Sequence, residues 1–89
     1  SIVHEAEPET HTFRFYISED ETTLFGYEEF TNSNAVMKHL DTMQDAMPVF
    51  LDMVSIRTLT VLGVANGEVR SALVGLGATF PLYLGGFKR

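Results

Sequence analysis

Between residues 22 and 40, TTLFGYEEFTNSNAVMKHL, the hydrophobic period changes from two to about 3.6, so this part of the chain has to pack a helix against the strand that precedes it. Leu24, Phe25, Tyr27 and Phe30 suit a pleated, half-buried surface, and Thr22 and Thr23 add β-branched character. Asn32 or Ser33 then caps a helix by accepting a backbone N–H bond. Beyond the cap, Val36, Leu40, Met43 and Met47 recur at steps of four, three and four on one apolar face. Two polar residues sit in apolar company here, Glu28 inside the strand and His39 beside the helix stripe. Candidate chemistry concentrates on them.

The flanking sequence completes an α+β pattern. Residues 1–10 read as the tail of a helix or as coil, with Pro8 biasing Glu7 away from helical geometry. Residues 11–18 alternate, with Phe13, Phe15 and Ile17 on one face and Thr12, Arg14 and Tyr16 on the other. The acidic Glu19-Asp20-Glu21 separates this stretch from the next by a hairpin-length loop, which predicts an antiparallel hairpin over residues 11–30. Its register is open, because a slip of one residue exchanges the faces. An odd or even loop decides whether Glu28 meets Arg14 and Tyr16, as a cross-strand ion pair, or Phe13 and Phe15, as a carboxylate in an aromatic layer.

Helices are expected over residues 33–54, the second started by Asp45 as cap with Pro48 in its first turn. Phe50, Leu51 and Val54 continue its apolar side, while Asp41, Asp45 and Asp52 face water. Residues 56–64, rich in β-branched side chains, predict a third strand in a central position. Asn66 caps a short helix over residues 66–76, carrying Val69, Leu73 and Leu76 and closed by Gly75 and Gly77. Residues 78–89 are expected as an edge strand or arm, with Pro81 excluding a central position.

Composition narrows the function classes. A single domain of 89 residues buries only about 60–65% of its unfolded surface, which makes a partner subunit useful. A net charge of -6, from 12 acidic and 6 basic side chains, has the wrong sign for a nucleic-acid backbone. Eight of the acids lie between Glu5 and Glu29, where Arg14 is the one base. The chain has no cysteine, hence no disulfide, thiolate metal site or cysteine nucleophile, as a reducing cytoplasm permits; a cytoplasmic location is the expectation. No apolar run approaches the roughly 20 residues of a membrane helix. His4, His11 and His39 lack close ligand spacing, so no metal site is expected, and no glycine-rich phosphate loop precedes a helix.

With YEEFTNSNAVMKHL as anchor, the chain resembles the antibiotic biosynthesis monooxygenase family, in which a Glu, an aromatic residue and a helix with an Ala and a His-Leu pair follow one another. Here these are Glu28, Phe30, Ala35, His39 and Leu40. The resemblance extends to EAEPETHTFRFYISED, LTVLGVANGEVRSAL and ATFPLYLGGFKR. Glu9 stands where the family usually has Gly, Asn66-Gly67 where Ser-Pro is common, and there is no Trp, which characterised oxygenases of the family tend to use. The resemblance implies a ferredoxin-like antiparallel sheet with helices on one face, paired as a dimeric α+β barrel. It also implies an earlier strand and most of a first helix, so the chain is either truncated or completed another way, such as by a partner chain.

The implied function is cofactor-free oxygenation of an aromatic or quinol compound by a homodimer, which needs a base, an anion-holding donor and a dry apolar box. His39 can serve as base, oriented by Glu28, because an ordinary histidine titrates near neutral pH. Tyr16, Tyr27 or Arg57 can hold the substrate oxygen, and Phe13, Phe15, Phe30, Met37, Met43 and Met47 can form the box. The alternative is a non-catalytic dimerisation or small-ligand-binding module in which His39 and Glu28 fasten helix to sheet as a satisfied polar pair.

Overall fold

The computed structural model describes residues 2–89, the placement of Ser1 and of the Ile2 side chain lying outside it. Six elements follow in order: α1 (Ile2–Ala6), β1 (Thr10–Ile17), β2 (Leu24–Phe30), α2 (Ser33–Met43), α3 (Met47–Met53) and α4 (Gly67–Val74). The architecture is α+β, with β1 and β2 forming a two-stranded antiparallel sheet. This arrangement is compatible with part of a ferredoxin-like sheet.

The hairpin loop settles the register. Six residues separate Ile17 from Leu24, and these two pair directly, so that Phe13 stands opposite Glu28, Arg14 opposite Tyr27 and Phe15 opposite Gly26. Glu28 therefore belongs to the aromatic face of Phe13 and Phe15, the second of the two expected alternatives. The loop is tied by Asp20, whose carboxylate accepts from the Ser18 hydroxyl at 2.6 Å and from the Thr22 hydroxyl at 2.7 Å. Gly26 leaves room for the Phe15 ring: a Cβ there would stand 3.0 Å from it, and the ring would have to give way by a few tenths of an ångström.

A bulge at His11 shapes the open end of the hairpin. The pairing moves from Thr10 with Phe30 to Thr12 with Glu29, leaving His11 as the extra residue. Strict alternation would put Thr10 and Phe13 on opposite faces, since they are three residues apart. The bulge restores them to the same face, the one that meets α2. Just before β1, the Thr10 amide donates to the Glu7 carbonyl at 3.1 Å, closing a turn with Pro8 at its second position. Glu9 sits third, and Glu21 is the one non-glycine residue of positive φ among those described. A turn of this kind does not need the glycine expected at Glu9.

Asn32 caps α2 as the sequence predicts, its side chain accepting from the Ala35 amide at 2.9 Å. The face of α2 turned to the sheet is not the expected stripe, however. Ala35 and His39 are its buried residues, whereas Val36, Met37 and Leu40 pack towards the cluster of Val69, Leu73 and Ala78. Helix α2 thus serves two neighbours, the hairpin and α4, from adjacent strips of its surface. Asn66 caps α4 by accepting from the Val69 amide at 2.9 Å. The Asn66 amide itself donates to the Ser33 hydroxyl at 3.0 Å, joining the starts of α2 and α4.

Two expectations need correction. Asp45 does not cap α3: Ala46 occupies the cap position with no side-chain bond, and no residue of α3 is buried. Residues 56–64 do not form a third strand of the sheet. Their ladder is a single parallel bridge between Thr60 and Thr79, made by Val61 donating to Thr79 and Thr79 to Leu59, both at 2.9 Å. Strand propensity reports fit to a pleated, partnered surface, and only Leu59 and Val61 of this stretch pack against the α4 cluster. Residues 81–89 extend from Phe80 as a fully exposed arm, the second form in which 78–89 was expected.

Candidate functional site

Three carboxyl and imidazole groups from distant parts of the chain meet between the hairpin and α2. The turn after α1 supplies Glu7, β2 supplies Glu28 and the middle of α2 supplies His39. His39 Nδ1 lies 2.9 Å from Glu7 Oε1, and His39 Nε2 lies 3.1 Å from Glu28 Oε1. Both ring nitrogens are thus engaged by carboxylate oxygens, which accept and do not donate when ionised, so the arrangement is satisfied in full only by a doubly protonated imidazolium. The Thr10 hydroxyl also donates to Glu7 Oε1, at 2.8 Å. It reaches Glu7 from the face that the His11 bulge gives it.

Aromatic rings close the site. The Phe13 and Phe30 rings each stand 5.4 Å from the imidazole, at 61° and 53°, and Phe15 packs edge-on to Phe13 at 5.0 Å. These contacts leave the His39 side chain 10% exposed and that of Glu7 1%, against 31% for Glu28. The triad is therefore graded: a dry carboxylate, a nearly dry imidazole and a carboxylate at the water's edge. Glu7 Oε2 is buried without a hydrogen-bond partner, so Glu7 depends on His39 and Thr10 for its stabilisation.

Two effects oppose each other at His39. Burial disfavours the charged ring, but the hydrogen bond and charge of Glu28, followed by those of Glu7, outweigh it and raise the pKa above the ordinary 6.5. Because the folded value lies above the unfolded one, the stabilisation is fully present below about pH 6.5 and is lost as the pH rises through the folded value. Denaturant unfolding should accordingly show stability falling between these two values, with a slope of up to ~1.4 kcal/mol per pH unit for one proton. In His39→Gln that portion of the profile should be flat.

The sequence-derived candidates divide into two groups. His39, Glu28 and Phe30 come together as described, with Phe13 beside them, and Met43 lies one helical turn beyond His39 on α2. Tyr16 and Tyr27 stand opposite Phe25 and Arg14, so the pleat turns them to the sheet face away from His39. Both are more than half exposed there. Arg57 is exposed in the segment after α3. The structure thus gathers His39, Glu28, Phe13 and Phe30, and leaves Tyr16, Tyr27 and Arg57 away from them.

Glu7 is the site residue that the candidates omitted. Its separation from His39 is 32 residues, beyond any local periodicity.

Cavity space lies beside the triad. A surface cleft of about 360 Å3 is lined by Ala6, Glu7, Pro8, Thr10, Ala35 and Lys38 among others, and another of about 520 Å3 by residues around Asn32 and Asn66. His39 lines neither. Among the described residues no group of three or more His, Cys, Asp or Glu side chains is arranged to hold a metal ion. The triad itself fails because the two nitrogens of one imidazole point away from a common centre. Among the described residues no helix is long and apolar enough to cross a membrane. No protein family, curated protein or solved structure matches the chain.

Proposed function

We propose that this chain is one subunit of a dimeric, ferredoxin-like α+β barrel that binds a hydrophobic aromatic compound of the phenol or quinol type and oxygenates it without metal, flavin or haem. The observation that carries the reading is the buried imidazole held by carboxylates on both nitrogens and walled by Phe13 and Phe30. It has the parts of an acid–base relay in an apolar setting. The resemblance of the stretch from Glu28 to Leu40 to antibiotic biosynthesis monooxygenases supplies the reaction class.

In this reading Glu7 stays fixed and holds His39 Nδ1–H, which directs proton uptake to Nε2. Glu28, at the exposed end, swings aside to admit the substrate. Removing a proton from the substrate leaves an electron-rich anion that reacts with dioxygen. One oxygen atom becomes a carbonyl on the substrate carbon and the other leaves as water; the four electrons come from that carbon, which carries two C–H bonds in an anthrone or in the keto form of a phenol or quinol. His39 must be neutral to act as base, so oxygen consumption should increase as the pH rises through its raised pKa, opposite in sign to the stability profile.

The test is oxygen uptake with simple phenols, quinols and anthrones, comparing the unaltered protein with His39→Gln. The reading expects turnover that falls about 10²–10⁴-fold in His39→Gln while the circular dichroism spectrum is kept. No turnover, or turnover indifferent to His39→Gln, contradicts it. A second reading, a non-catalytic dimerisation or ligand-binding module, is favoured by the occupation of both ring nitrogens and by the fact that His39 lines neither cleft. It predicts ligand binding without oxygen uptake.

A further inference from the structure

We propose that residues 81–89 are an exchange arm, which seats on the outer half of the hairpin of a second copy of this chain while that copy's arm seats on this one. The inference rests on the dimer reading above and adds the surface that makes the dimer. In the arm, Leu82, Leu84 and Phe87 are 94%, 101% and 81% exposed. A segment this apolar and this uncovered loses hydrophobic stabilisation until something covers it. On the hairpin, Phe15, Ile17 and Leu24 share the face that meets α2 near the open end, yet each remains about half exposed towards the loop. Within one chain the two surfaces stay apart, since the arm departs from Phe80, which packs on the α4 cluster.

The area agrees with a second copy as occupant. The chain exposes 7338 Å2, whereas a folded monomer of 9.9 kDa exposes about 5,200 Å2. The excess, about 2,100 Å2, is summed over the whole chain, and the arm and the outer hairpin are part of it; a standard-size contact needs about 800 Å2 from each partner. Both halves of the contact are present in every copy, so a twofold axis closes it. Reach is sufficient: nine residues extend about 30 Å, and the seven residues of β2 span about 23 Å.

Charge sets the direction. The arm carries Lys88 and Arg89 beyond its apolar residues, and the hairpin loop carries Glu19, Asp20 and Glu21. Hydrogen bonds from Ser18 and then from Thr22 hold the Asp20 carboxyl below its ordinary value, which keeps the loop anionic. Seating the arm's basic end at the partner's loop pairs these groups at the rim, where they steer association and register more than they add affinity.

Light scattering on the full chain at micromolar concentration tests this, with circular dichroism as the check on folding. The expected mass is that of two chains. Leu82→Asp with Leu84→Asp, at positions that support no intrachain packing, should weaken association at least tenfold and leave the spectrum unchanged. Two charge-reversed proteins extend the test, Lys88→Glu with Arg89→Glu and, separately, Glu19→Lys with Glu21→Lys. Each should dimerise several-fold more weakly alone, and an equimolar mixture should recover dimer by pairing each reversed end with its complement. A single-chain mass for the unaltered protein overturns both the dimer and the arm. An unaltered dimer indifferent to the Leu82 and Leu84 changes overturns the arm and leaves the dimer standing.

Discussion

Replacing His39 with Ala should cost about 3–5 kcal/mol of folding stability, the largest loss expected from any single change in this chain. The reason is Glu7 more than the histidine itself. Its side chain is 1% exposed and one of its oxygens already lacks a partner. Without the imidazolium, only the Thr10 hydroxyl remains to stabilise a carboxylate cut off from water. Glu28, 31% exposed, can turn to solvent, so Glu28→Ala should cost about 1 kcal/mol or less.

Two companion variants identify the cause. His39→Asn places an amide near the Nδ1 position and should recover part of the loss. His39→Leu combined with Glu7→Leu removes both buried charges and should be far milder than His39→Ala, because exchanging a buried ion pair for apolar groups is often neutral. Denaturant unfolding measures all of these. A cost below about 1 kcal/mol for His39→Ala would mean that Glu7 and His39 are not paired in solution.

The second large effect should come from Leu73→Ala, at about 2–4 kcal/mol. Leu73 is 9% exposed and belongs, with Val69 and Ala78, to the buried cluster. Val36 and Leu40 of α2 approach this cluster from one side, and Leu59, Val61 and Phe80 from the extended segments. Truncation leaves a cavity where three parts of the chain converge, and a domain this small has few other contacts to redistribute the loss. Thermal unfolding should shift down by roughly 8–32 °C, at about 4–8 °C per kcal/mol for a domain of this size. A shift below about 4 °C would contradict the packing of α4 against α2.

What could be foreseen followed from local chemistry. Asn32 and Asn66 are caps because a short side-chain oxygen reaches the amide three residues on, an interaction contained within one turn. Phe13, Phe15 and Ile17 announce a strand face by alternation alone. His39 and Glu28 stand out in the sequence as polar groups in apolar company, and they meet in the fold.

What could not be foreseen depends on distance in sequence. Glu7 reaches His39 only through a turn, a bulge and the hairpin register, and a change of one residue in the loop would move Glu28 to the other face. The strip of α2 that meets the sheet is offset by one position from its most apolar stripe, because Val36 and Leu40 are claimed by α4. Residues 56–64 show the limit of propensity. Leu62 and Val64 are 77% and 100% exposed, with no strand among the described residues beside them to form a ladder.

The measurement closest to the central claim is a nitrogen-15 NMR titration of the His39 ring in the unaltered protein. The ring should titrate with a midpoint above 6.5, and in its protonated form Nδ1 and Nε2 should each be hydrogen-bonded. The same resonance in Glu28→Gln should titrate lower, since Glu28 contributes most of the upward shift. A midpoint below 6.5 would contradict the pairing, and would mean that burial outweighs the two carboxylates.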